Sequence, residues 1–428
     1  MSEQENQDLS GRVLESSFEA IDPAEVDRLR RLVAAKEPGS TLLDLSPPQL
    51  LQQLGLLELG QPPRLTWTGA LLTSPPETLR RLVPGHEVIY LRMRNDTEYD
   101  RRIDSRRPLL ALLEQMSEAL EPNNAITTVR MGLFHFEIPD FPADVFREAL
   151  LNAIVHRDYT RVAPVYVRHY PDRIEISSPG GFFGGVSETN ILGHEPVSRN
   201  PFLASVLQRI RLVERAGMGV RRMYHIMLSW GKEPPSYEGR PDFVRVALRS
   251  GRTASGSSAD QDFARFVAAE HKDGRELALH DLLVLNYLKR NREIDLAEAE
   301  HILQRGQAEA REVVNSMENR GLLEPFGQKK GRVYRLSKRV YSSLRTSVGY
   351  QIFRRAEASY AESTIINYLE EMPEDSRYLT NEVVRTLLRV SPHQSGYILG
   401  NLVKKGRLAM RGRGRSCRYY PTKQLSAF

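Results

Sequence analysis

No packed core can run through Arg249 to Gln261, RSGRTASGSSADQ. Its glycines, serines and charges bury too little apolar surface to offset the entropy of ordering them, so it reads as a flexible linker and a domain boundary. The 428 residues therefore divide into at least two parts, and a chain this long has room for three or four domains. Hydrophobic content of 40% and charged content of 27% are those of a globular protein. A net charge of +6 suggests an anionic partner without naming it. One cysteine, Cys417, excludes an internal disulfide framework and fits a reducing compartment. The start, MSEQENQDLS, is unlike a signal peptide, and no apolar run is long enough to cross a bilayer. A cytoplasmic protein without a membrane partner is expected.

Before the linker the pattern is mixed. Asp22 or Pro23 can start a helix, and Ser46-Pro47-Pro48 can start another running through QLLQQLGLLE. Arg64 to Leu72 (RLTWTGALL) and Glu87 to Met93 read as strand-like. Arg107 to Leu120 reads as an amphipathic helix, and Ile126 to Ile138 as one or two strands. Next comes EALLNAIVHRDY, Glu148 to Tyr159, at helical spacing. Glu148 and Asn152 lie four apart and share one helix face. An Asn oxygen can hold Mg²⁺ without adding charge, and a Glu can deprotonate a water. The pair equally suits the wet face of an ordinary amphipathic helix. Two strands follow, Pro164–His169 and Arg173–Ser177, then a glycine-rich lid from Gly180 to Gly193. Helices begin at Pro201 and Gly219, and Phe243–Leu248 closes the part as a strand. Gly217 and Gly219 before a helix let backbone N–H groups approach an anion, though Gly-x-Gly alone also fits a plain turn.

Glu148-x-x-x-Asn152-Ala153 resembles the N-box of the GHKL ATPases, which share the Bergerat nucleotide fold. With His156-Arg157-Asp158-Tyr159, Pro179-Gly180-Gly181, Arg199-Asn200-Pro201 and Gly217-Met218-Gly219 in order, it resembles a "RecG-like C-terminal" branch associated with Schlafen/AlbA-like domains. The resemblance covers Ile126 to Leu248 and implies an α+β sandwich of GHKL type. It implies ATP and Mg as cofactors, Glu148 as general base and Asn152 as the Mg ligand. Ser178, Gly180, Gly181, Arg199, Asn200, Gly217 and Gly219 would complete the nucleotide site. Two positions depart from the superfamily. Ser177 or Ser178 stands where an Asp accepts from the adenine amino group, and Val155 stands where a second Asp follows Asn152. A hydroxyl accepts that bond without charge. These departures fit a weak ATPase or a nucleotide sensor. No G-x-x-x-x-G-K-S/T occurs, which excludes a P-loop helicase motor. Residues 1–122 resemble the connector that precedes this domain at 123–250, and no AlbA-like domain is recognisable.

After the linker, 251–262, one pattern occurs twice, at 263–340 and 341–428. Helices at Leu277–Lys289, Asp295–Leu303 and Gln307–Asn319 precede a hairpin around Gln328-Lys329-Lys330-Gly331. Helices at Ala361–Met372, Asn381–Leu388 and Pro392–Lys405 precede a hairpin around Arg411-Gly412-Arg413-Gly414-Arg415. Ser391 stands where a cap for the last helix belongs. Three helices and a hairpin describe a winged helix, a mainly α domain. Lys404, Lys405, Arg407, Arg411, Arg413, Arg415 and Arg418 form a run without an acidic residue, suited to the phosphates of double-stranded DNA. Gln394 and Tyr397 near the start of the last helix could read bases. Winged helices also serve as protein-interaction modules, and the more acidic first copy suits that use.

The expected function is a nucleotide-regulated DNA-binding protein, a transcriptional regulator whose winged helices are arranged by ATP. The alternatives are an ATPase acting in DNA processing or phage defence, and an interaction scaffold with a vestigial pocket. The oligomer is left open, a homodimer among the arrangements.

Overall fold

The computed structural model describes residues 8–17, 20–58, 60–131, 133–213, 217–251, 261–326, 332–344, 361–370, 372–373, 377–388, 392–412 and 417–422. It divides into two compact units, Met1–Leu282 and Leu283–Phe428.

The first unit begins with β1 (Val13–Ser17), α1 (Pro23–Lys36), α2 (Pro47–Gln53), β2 (Leu57–Glu58), β3 (Arg64–Thr66), α3 (Trp67–Thr73) and α4 (Pro76–Leu82). Helix α1 starts where the Asp22 carboxylate accepts the Ala24 N–H at 2.9 Å. At α2 the Gln49 side chain reaches back to the Ser46 N–H at 3.0 Å. The strand expected over Arg64–Leu72 stops at Thr66. There Oγ1 accepts the Gly69 N–H at 3.1 Å, and the chain turns into α3. Every residue of α3 is buried, so it has no polar stripe by which periodicity could tell helix from strand. The helix expected through QLLQQLGLLE likewise ends at Gln53, and Leu57–Glu58 pairs with β3.

There follow β4 (Val88–Met93), β5 (Tyr99–Ser105), α5 (Leu109–Leu120), β6 (Ile126–Met131), β7 (Phe134–Pro139) and α6 (Ala143–Val155). Next come β8 (Val165–His169), β9 (Arg173–Pro179), α7 (Pro201–Arg209), α8 (Gly219–Ser229), β10 (Ser236–Gly239), β11 (Phe243–Arg249) and α9 (Gln261–Lys272). Six strands form one mixed sheet in the order β10-β11-β9-β8-β4-β5. The β4–β8 pair is parallel and the others antiparallel. The boundary expected at residue 122 thus runs through one sheet, and through one apolar core that extends from Val26 to Leu248. Helix α9, beyond the linker, also belongs here. Its Ala264 packs on Val129 and Ile138 of the β6–β7 hairpin.

Helix α6 packs on β9 and β11, with α5 and α8 beside it. It buries Val145, Phe146, Ala149, Leu150, Leu151 and Ile154. Burying a side chain of the Leu or Phe class contributes about 1.5–3 kcal/mol. The face of α6 carrying Glu148 and Asn152 is therefore held on a rigid support.

The chain continues through α10 (Leu279–Leu288), which crosses the division between units, to α11 (Leu296–Leu303), α12 (Gln307–Asn319), β12 (Leu323–Phe326), β13 (Val333–Leu336) and α13 (Lys338–Ser343). Then come α14 (361–370), α15 (Asn381–Leu388), α16 (Pro392–Lys404), β14 (Leu408–Arg411) and β15 (Arg418–Pro421). The repeat read in the sequence recurs in the backbone. A glycine with positive φ, 67° at Gly321 and 70° at Gly406, follows the last helix of each copy. Two antiparallel strands come next. The segment between the first two helices of each copy bridges the second strand, Ile294 to Tyr334 and Leu379 to Tyr419. Ile365, Leu369, Val384, Leu399, Leu402 and Leu408 form the core of the second copy. The Ser391 cap lies outside the described residues.

Candidate functional site

Glu148 and Asn152 stand half-buried on one face of α6, and the Asn152 Nδ2 donates to Glu148 Oε1 at 3.3 Å. This assignment turns the Asn152 carbonyl oxygen away from the carboxylate. Both residues line a cavity of about 360 Å³. Its base is Ile176 and Ser178 of β9 with Val244 and Val246 of β11, and its wall is the 180–198 loop. Gly217 and Gly219, at the start of α8, close the end beside Glu148.

Gly219 lies directly against the Glu148 side chain. A methyl group there would overlap the Glu148 carboxylate. The backbone at the start of α8, with its outward N–H groups, thus meets the only acidic group that α6 contributes to the cavity wall. Tyr237 of β10 lines the same space. Burial first, then Tyr224 and the charge of Glu148, push its phenol well above the ordinary value. It stays protonated and is available as a donor. The Ser178 hydroxyl is buried and donates its hydrogen to the Ala153 carbonyl at 2.5 Å. With that hydrogen committed, Ser178 can only accept a bond from a ligand.

Seven of the residues singled out in the sequence therefore share one wall: Glu148, Asn152, Ser178, Gly180, Gly181, Gly217 and Gly219. Arg199 and Asn200 do not line it. Asn200 is 4% exposed, and its Nδ2 donates to the Val155 carbonyl at 2.7 Å and the Arg157 carbonyl at 2.9 Å. It satisfies a carbonyl that the end of α6 would otherwise leave unpaired. Arg199 donates to the carbonyls of His156 (3.2 Å) and Gly181 (2.9 Å) and lines a separate recess.

The HRDY string ties down the loop after α6. Arg157 is 1% exposed and donates to the carbonyls of Asp158, Arg161 and Ala163. It lies over the ring of Tyr159, which packs edge-on against Trp67 with centroids 4.4 Å apart. Asp158 accepts from Thr160 and Arg161. The Arg157 guanidinium serves loop carbonyls, and Asn200 serves the helix end.

The residues proposed for DNA lie in the second unit. Lys404, Arg411 and Arg418 are exposed, as is Tyr397 on α16. Lys405 and Arg407 both pair with Glu362 of α14, at 2.7 and 3.3 Å. A carboxylate distant in sequence therefore neutralises part of a run that reads as purely basic. Arg413, Arg415 and the side chain of Gln394 lie outside the described residues.

Sequence reading missed Tyr237, and it missed Phe182 and Phe183, which line the cavity directly after the Pro-Gly-Gly turn. The aromatic pair beside that turn was a visible signal. Tyr237 had none, because its place depends on β10 joining the sheet edge.

A family model described as "Putative ATP-dependent DNA helicase recG C-terminal" matches residues 163–248. That stretch is thus similar to an ATPase-like domain. The match begins after α6, so Glu148 and Asn152 stand on the geometry. Among solved structures, the chain is similar to the DIP2311 protein from Corynebacterium diphtheriae at 25% identity with a TM-score of 0.63. That likeness covers 79% of this chain and 66% of the other. No curated protein matches. Among the described residues no helix is long and apolar enough to cross a membrane.

Proposed function

We propose that the first unit binds ATP with Mg²⁺ in the α6 cavity and hydrolyses it slowly, as a GHKL-type ATPase. The observation that carries this reading is the placement of the Glu148 carboxylate against Gly219, with Asn152 beside it. The apolar base suits a planar nucleobase, with Ser178 accepting from its amino group. The Gly217–Gly219 end suits phosphates. The Asn152 oxygen, turned from Glu148, fits a hard cation that keeps its remaining ligands as water and phosphate. When bound, Mg²⁺ would offset charge on the phosphates. Glu148 would orient a water and take its proton, while the 180–198 loop limits access of bulk solvent.

Glu148→Gln should keep ATP binding and lower the turnover rate by about a hundred- to ten-thousand-fold. An unchanged rate means that water is activated elsewhere.

The second reading is a nucleotide-regulated DNA-binding protein, a transcriptional regulator. The repeated order of helices and hairpin supports it, read as two winged helices, together with the exposed cations Lys404, Arg411 and Arg418. ATP binding without measurable turnover, accompanied by duplex DNA binding, would favour it over the ATPase reading.

A further inference from the structure

A second recess, of about 540 Å³, adjoins the α6 cavity and shares Gly181, Phe182 and Phe183 with it. Three guanidinium groups line it, those of Arg161, Arg199 and Arg240, against the carboxylate of Asp158. Two have partners of opposite charge. Arg161 pairs with Asp158 at 3.1 Å, and Arg240 with Glu238 at 3.1 Å. Arg199 makes no direct ion pair among the described residues, and Asp158 acts on it only at longer range. Its guanidinium donates to the carbonyls of His156 and Gly181 and lies 4.8 Å above the ring of Phe183. Carbonyls and a ring orient a cation without neutralising it.

That arrangement is costly for folding alone. A partly buried charge without a direct ion pair loses hydration, and a second guanidinium nearby adds repulsion. Burial is the main cause that lowers the Arg199 pKa from its ordinary value. Asp158 opposes this, and Arg161 adds to it. An orienting scaffold of two carbonyls and a ring around a cation that makes no direct ion pair prepares it for an anion that arrives from solution.

We propose that the recess of Arg161, Arg199 and Arg240 is an anion subsite that takes the phosphate group of a ligand, separate from the wall formed by α6. Guanidinium groups suit this because they grip phosphate oxygens with paired N–H bonds. Phe182 and Phe183 line one side of the recess. The subsite does not depend on the nucleotide reading of the larger cavity. The phosphate could belong to a small phosphorylated molecule or to the end of an oligonucleotide.

The test uses the full chain without divalent cations. Pyrophosphate, a 5′-phosphorylated tetrathymidylate and the same oligonucleotide without its phosphate are each titrated by calorimetry. The first two should bind and the third should bind at least about ten-fold more weakly, since a charge-assisted contact is worth about 1.5–3 kcal/mol. Pyrophosphate binding as tight as that of the phosphorylated oligonucleotide assigns a small ligand. Tighter binding of the oligonucleotide assigns a nucleic-acid end. Arg199→Gln should weaken binding about ten-fold or more. Arg240→Gln, an exposed position outside the core, should weaken it in the same direction even if Arg199→Gln disturbs the loop. Asn152→Ala should leave it unchanged. No saturable binding of either phosphate probe overturns the proposal. So does binding that survives both arginine changes, or that is lost in Asn152→Ala.

Discussion

Replacing Asn200 by alanine removes two buried hydrogen bonds, to the carbonyls of Val155 and Arg157 at 2.7 and 2.9 Å. No water reaches the site to replace them, because Asn200 is 4% exposed. Each bond contributes roughly 0.5–1.5 kcal/mol, and each carbonyl left unpaired costs about 1–3 kcal/mol. The change should cost about 3 kcal/mol. For a unit of this size one kcal/mol moves the melting temperature by about 2–4 °C or somewhat less. The transition of the first unit should therefore fall by about 5–10 °C. The assay is thermal unfolding by circular dichroism, paired with an ATP titration well below the transition. ATP affinity should stay at the wild-type value, because Asn200 lies outside the cavity wall. An unchanged melting temperature together with lost affinity would refute the structural role and make Asn200 a nucleotide contact.

Two further outcomes follow from charges in the structure. His86 is 2% exposed with Nε2 2.8 Å from the Arg107 carbonyl, and burial is the main cause that lowers its pKa from 6.5 to about 4. The unfolded chain then takes the proton first, so stability is complete above pH 6.5 and falls as pH drops toward 4, by up to about 3 kcal/mol. Urea unfolding across that range should show a shallower fall for His86→Gln, and an equal fall would exclude His86 as the cause. In duplex DNA binding, Arg411→Ala and Arg418→Ala should each flatten the log–log salt slope by about one unit. Lys405→Ala should change it less, because Glu362 already holds that amine, and isotherms at several salt concentrations decide between the three.

Local signals explain what could be read from the sequence. Helix α12 occupies Gln307–Asn319 and α15 occupies Asn381–Leu388, the ranges their apolar spacing predicts. Asp22 caps α1 because a short acceptor before Pro23 has little else to bond. What failed needed distant partners. From Leu65 on, RLTWTGALL is buried on every side, so no polar stripe marks the part that is helical. Strand β4 pairs with β8 across more than seventy residues, and no local pattern announces a parallel partner. The same division holds at the site. Glu148 and Asn152 share a wall because four residues make one helical turn. Arg199 and Asn200 are adjacent in sequence, yet one turns to the recess and the other beneath α6. The Lys404–Arg418 run looked uniformly basic because Glu362 is far away in sequence.

The most direct measurement is an ATP titration of the full chain, with and without Mg²⁺, on wild type and Asn152→Ala. Wild type should bind ATP more tightly when Mg²⁺ is present, and Asn152→Ala should lose that gain while keeping its fold. Equal affinity in both proteins, regardless of Mg²⁺, would contradict the assignment of the α6 cavity as a nucleotide site.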